Sequence, residues 1–235
     1  PNTDPLIDTP EHVELAFELI EENALVDAQQ YALLSSESVD RVEELAETGV
    51  AGFKCFLVEG GQYDFSTPSD GELHEAMGVL SEVDKRVGFH EENSSIVYHT
   101  VQRFQEEGRN HPRDQPRSRP VVAEIEAVSR FCILAEDADC PVHMFHLSSG
   151  SAAEVVRRAK DEGIDVTAET MPHYLWFTED VMREKGNVAR IQPPIRDEEE
   201  RDLLWEEVLD ERGGIDCIAT DHSPHTDEEK GMDDP

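Results

Sequence analysis

A chain of 235 residues is long enough for one large α/β domain or two small ones, so it can bury a sizeable core. Its 54 acidic against 20 basic residues give a formal net charge of −34, which argues against nucleic acid or an anionic membrane as a partner. The acids are dispersed rather than gathered in a tail, and only five residues are lysine. That pattern suits a protein kept in solution by concentrated salt, and we read the chain as a halophile's cytoplasmic protein.

Strand-like and helix-like segments alternate along the chain. Apolar runs at 24–34, 50–58, 87–90, 141–147, 165–177 and 215–219 predict strands. Amphipathic stretches at 11–22, 37–48, 70–86, 121–137, 152–162 and 198–211 predict helices. In the fourth helix Val121, Ile125, Val128, Cys132 and Ala135 recur at helical spacing. Thr9 before Pro10 reads as an N-cap, Ser36 and Ser69 precede acidic first turns, and Gly163 follows Lys160 at a helix end. Residues 105–120, rich in Pro and Arg, read as a long surface loop, with His111 solvated. Repeated βα units with apolar strands imply a parallel sheet covered by helices. Their number favours a (β/α)8 TIM barrel over an open doubly wound sheet.

Cys55, Cys132, Cys140 and Cys217 have no CxxC spacing and read as reduced, mostly buried thiols. No signal peptide and no bilayer-spanning apolar run is visible. The chain opens on Pro1 without an initiator Met, and we expect an interior piece of a longer protein.

The chemistry gathers at strand ends, where parallel α/β enzymes build their sites. GFKCFL buries Lys54 in a phenylalanine-lined strand, with Lys54 and Phe56 on one face and Phe53 and Cys55 on the other. A buried ammonium is costly unless paired or neutralised. Carbamylation would turn it into a carboxylate able to bridge two cations, and an ion pair is the plainer resolution. VGFHEEN places His90 just past a strand. VHMFHLSS offers His143 and His146 on opposite faces, of which His146 is the better ligand and His143 a packed residue. IDCIATDHSPH runs a buried strand into Asp221 and His222, and Pro224 ends it.

Taken together, PNTDP, GFKCFL, FHEEN, RPVVAEIEAV, HMFHLSS, TAETMPHYL, QPPIR and ATDHSPHTDEEK resemble the cyclic amidohydrolases of the amidohydrolase superfamily: dihydroorotases, allantoinases and hydantoinases. The resemblance implies a metal-dependent hydrolase opening a cyclic amide ring, with two divalent ions, zinc by expectation. Lys54 would be the carbamylated bridging lysine, and His90 and His146 would bind the second metal. Asp221 would bind the first metal and shuttle the proton. The family's His-x-His at the first barrel strand has no counterpart here. Residues 1–235 are therefore expected to be an incomplete barrel truncated at both ends, lacking the first strand, the last helix and the β-sandwich, and unable alone to assemble a complete binuclear site.

Asn2 and His225 match positions that contact the substrate carboxylate in dihydroorotases. GFKCFL and PHYL are closer to allantoinases, and Gln192 also departs from the dihydroorotase pattern. The carboxylate contacts put dihydroorotase first, with allantoinase or hydantoinase as the alternative. The implied partner is a small cyclic amide, and homo-oligomeric assembly is expected. The alternative of another class is a non-catalytic assembly subunit, against which the presence of Lys54, His90, His146 and Asp221 argues. Asn2 also suits a turn before Pro5, His225 a surface position, and His173 either a supporting role or packing beside Tyr174 and Trp176. His12, His74 and His99 read as solvated.

Overall fold

The computed structural model of the protein describes residues 3–58, 65–223, 225, 226, 228 and 230. Its elements follow one another as helix α1 (Pro10–Asn23), strand β1 (Tyr31–Leu34), α2 (Val42–Glu47), β2 (Gly52–Phe56), α3 (Asp70–Glu82), β3 (Arg86–His90), α4 (Ser94–Glu106), α5 (Gln115–Ser118) and α6 (Val121–Ala138). Then come β4 (Val142–Met144), α7 (Gly150–Glu162), β5 (Val166–Thr170), α8 (Pro172–Trp176), α9 (Val181–Lys185), α10 (Glu198–Leu209) and β6 (Cys217–Ile218). The strands form one sheet in sequence order, β1 to β6, and β1–β2, β2–β3 and β5–β6 pair in parallel. Parallel neighbours require crossovers, which helices fill. Strictly sequential order is that of a (β/α)8 barrel, whereas a doubly wound sheet reverses direction partway.

Local chemistry explains where the helices start. The Thr9 hydroxyl accepts from the His12 N–H at 3.3 Å, with Pro10 in the first turn. Ser69 and Glu72 form a reciprocal capping box at α3. Asn93 caps α4 through the Ile96 N–H, and Asp197 caps α10 through the Glu200 N–H. Gly163 takes φ +93° after α7, a conformation open to a residue without Cβ.

The chain divides into two compact units. The first comprises 1–90, 130–143 and 163–166. Its core includes Leu33, Leu45, Phe53, Leu73, Met77, Leu80 and Phe89, all fully buried, with the Phe89 ring stacked on Phe131 at 3.6 Å. The second comprises 91–129, 144–162 and 167–235. Its core includes Val128, Leu147, Ala152, Val156, Tyr174 and Leu204. Here α7 and α10 approach so closely that a Cβ on Gly150 would collide with Leu203 Cβ and the Leu204 backbone nitrogen.

Several expectations are corrected. Residues 24–30 are not strand, and Leu25 and Val26 are exposed. The 165–177 run divides into β5 and α8, because Pro172 starts a helix and has no N–H for a ladder. The 215–219 run yields only the two exposed residues of β6, paired with β5. Helix α4 falls outside the amphipathic stretches and takes in the start of the 105–120 run, which also carries α5 and the buried Arg119. Ser36 does not cap a helix; a 3-10 turn begins instead after Ser38. All four cysteines are free, with Cys55, Cys132 and Cys140 buried and Cys217 exposed. Burial pushes the Cys55 thiol up to about 12, so it stays a neutral core residue. Among the described residues, no helix is long and apolar enough to cross a membrane.

Candidate active site

In the first unit, Lys54 lies mid-strand on β2 and is only 7% exposed. Pleating sends Phe53 and Cys55 into the fully buried opposite layer, as expected from alternation. Lys54 Nζ donates to the Phe89 carbonyl at 3.2 Å and stands 5.1 Å from the centre of the Phe56 ring. Phe56 in turn stacks on His90, with ring centres 6.0 Å apart. The β2–β3 register pairs Lys54 with Gly88 and Phe56 with His90. A residue with no side chain thus sits beside the lysine, and the histidine occupies the carboxyl end of the next strand. The structure therefore brings Lys54 and His90 to one face of adjacent strands, both buried.

In the second unit, His146 follows β4 and is 4% exposed, with Nδ1 3.8 Å from a carboxylate oxygen of the fully buried Glu91. His146 has φ +39° and Asp221 has φ +41°, in the left-handed region that costs L-residues about 1–2 kcal/mol. The other two described non-glycine residues with positive φ, Asp84 and Asp139, lie just past helix ends. Backbone held in such conformations clusters at functional sites. Asp221 itself is exposed, as are His222 and His225. Asn2 lies outside the described residues. His143 is half-buried, and His111 is exposed as expected.

His173, on α8, has the edge of its ring against Tyr174 at 4.5 Å. Its buried Nε2 has no hydrogen-bond partner among the described residues. Burial lowers its pKa below the usual imidazole range, and the negative charge of Asp221 partly offsets this.

Sequence reasoning missed a buried charge network in the second unit. Arg119 donates from Nε and a terminal nitrogen to the two carboxylate oxygens of Glu92, at 2.8 and 2.5 Å. Glu124 accepts from the Ser148 N–H, both serine hydroxyls at 148 and 149, and Arg196. Burial pushes the Glu124 carboxyl up, while Arg196 and the serine donors oppose it. Arg196 also donates to Ser148 Oγ and to the Arg119 carbonyl. One sequence signal was available: Glu124 stands four residues before Val128, on the buried stripe of α6, where a solvated acid does not belong.

Imidazole nitrogens and carboxylate oxygens suit a borderline divalent cation such as zinc, so His90, His146 and Asp221 each carry donor atoms of the type such an ion takes. Among the described residues no three His, Cys, Asp or Glu side chains form a metal-binding cluster.

No protein-family model matches the chain. An allantoinase of Salmonella paratyphi B is 39% identical over 218 residues, covering 91% of this chain and 48% of that protein. The solved L-hydantoinase (dihydropyrimidinase) of Arthrobacter aurescens aligns with TM-score 0.92 and 28% identity, over 99% of this chain and 51% of its own. The dihydroorotase of Saccharomyces cerevisiae aligns with TM-score 0.72 and 17% identity, over 98% of this chain and 62% of that one, a likeness of fold alone. The chain spans about half the length of the curated relatives it matches. With the parallel sheet in barrel order and similarity sustained over nearly all of its residues, this chain belongs to the cyclic amidohydrolase family of the amidohydrolase superfamily.

Proposed function

We propose that the protein hydrolyses the cyclic amide bond of allantoin, opening the ring to allantoate. The observation that carries the reading is the 39% identity to a protein named allantoinase across 91% of this chain. The chemistry asked of the fold is supported by a lysine and a histidine buried on one face of β2 and β3. The sequence puts dihydroorotate first through Asn2 and His225. Identity of 39% to an allantoinase, against 17% to a dihydroorotase that shares the fold alone, gives allantoin precedence.

In this reading the Lys54 ammonium gives up two protons in all as its nitrogen bonds to carbon dioxide, and the carbamate anion that results would have its charge offset by bound cations. By the family resemblance, Lys54, His90, His146 and Asp221 are the ligands assigned to divalent ions. Such ions, when bound, act as Lewis acids and lower the pKa of water towards neutrality. The Asp221 carboxylate accepts the proton from the attacking water and returns it to the ring nitrogen as the amide bond breaks.

Parallel assays of the intact protein with allantoin, dihydroorotate and hydantoin test this. Allantoin is expected to turn over fastest. Turnover of dihydroorotate without allantoin would restore the carboxylate reading. Turnover of none by metal-loaded protein would point to a non-catalytic assembly subunit.

A further inference from the structure

Two of the segments behind the family resemblance, RPVVAEIEAV and QPPIR, hold no proposed ligand, yet they supply Glu124 and Arg196, both buried. We propose that Glu124, braced by Arg196, is a positioning residue that holds the His146 turn in its left-handed conformation. The proposal rests on the ligand role assigned to His146 above.

Of the three residues after His146, the first is fixed to β5 and the next two to α6, the last also capping α7. Leu147 is tied to β5, its N–H donating to the Glu169 carbonyl at 2.8 Å and its carbonyl accepting from Thr170 Oγ1 at 2.7 Å. Ser148 is tied to α6, its N–H donating to Glu124 at 2.7 Å and its hydroxyl at 2.9 Å. The Ser149 hydroxyl donates to Glu124 at 2.7 Å and accepts the Ala152 N–H at 3.3 Å, linking the same carboxylate to the start of α7. With these residues gripped on both sides, the chain leaving β4 has to turn sharply at His146, where φ is +39°. Arg196 keeps the clamp closed, donating to Ser148 Oγ at 2.8 Å and to Glu124 at 3.2 Å. A glutamine in place of Glu124 has nearly the same size but faces some of these donors with an NH2 group, so it breaks the pattern without opening a cavity.

The test compares wild type, Glu124→Gln and the pair Glu124→Gln/Arg196→Met in the intact protein. The pair removes both buried charges, so a purely electrostatic stability role is relieved in it while the positioning role is not. Three readouts apply: zinc affinity by chelator competition, the His146 backbone in a crystal structure, and kcat against KM for allantoin. The pair should bind zinc about tenfold or more weakly, release His146 from positive φ, and lose kcat about tenfold with KM little changed. A pair that keeps both the wild-type zinc affinity and positive φ at His146 overturns the proposal. If wild type binds no zinc and opens no ring, the ligand role of His146 falls, and the positioning claim is still decided by the His146 backbone. Should the pair not fold, Arg196→Lys, which keeps the charge but cannot reproduce the Nε bond to Ser148, is judged by the same three readouts.

Discussion

Arg119→Met tests whether the buried charges are structural members of the second unit. Arg119 and Glu92 have side-chain exposures of 7% and 0% and are joined by two hydrogen bonds. The substitution keeps most of the apolar stem and removes the guanidinium, stripping Glu92 of its bidentate partner inside the protein. Breaking a buried pair from one side costs about 3–5 kcal/mol, against about 0–1 kcal/mol for an exposed pair. For a chain of this size each kcal/mol moves Tm by about 2–4 °C, so the expected loss is about 6–20 °C. The acidic composition adds a control. Raising KCl to about 1 M shortens the Debye length to about 3 Å and weakens surface charge effects, but it does not reach a buried pair. The deficit should therefore persist in high salt, and adding Glu92→Gln should recover much of it. Urea and thermal melts at low and high KCl make the measurement. A variant within about 1 kcal/mol of wild type, or a deficit that vanishes in salt, refutes the reasoning.

Asp221→Asn should lower kcat by about 10²–10⁴-fold while Tm barely moves, because the residue is exposed; a matching loss of Tm would mean that the residue is structural. Gly150→Ala should destabilise by about 1–3 kcal/mol or more, since its Cβ meets the backbone of Leu203 and Leu204, and urea unfolding would reveal a neutral change if the helices can separate cheaply. His173 has a pKa depressed by burial, so the folded state binds fewer protons than the unfolded one. Its contribution to stability is present above the ordinary imidazole pKa of about 6.5 and is lost as pH falls. In chelator, His173→Phe should flatten Tm against pH on the acid side of neutrality, and parallel curves for variant and wild type would contradict this.

The strand-end residues were legible because alternation is a strong local rule. A lysine between Phe53 and Cys55 in an apolar run has to be either buried or on an edge, and β2 has neighbours on both sides. The order of strands also followed from repeated βα units. Burial of the final strand did not, because apolar composition states a preference, whereas burial depends on what covers the residue. β6 accordingly emerges as an exposed pair of residues beside β5.

The charge network was hidden for the opposite reason. With 54 acids in the chain, a solvated glutamate and a buried one look alike unless position on the helix is weighed. Glu124 on an apolar stripe and the paired Glu91–Glu92 after a strand-end histidine carry that information, since each breaks a local pattern. The left-handed backbone at His146 and Asp221 is further from view, because no residue type there demands it. At His146 the conformation comes from three successive residues anchored to β5, α6 and α7, two of them through a single carboxylate. Residue types at strand ends therefore nominate the side chains for the proposed chemistry, and in the proposed clamp the buried charges decide how His146 is presented.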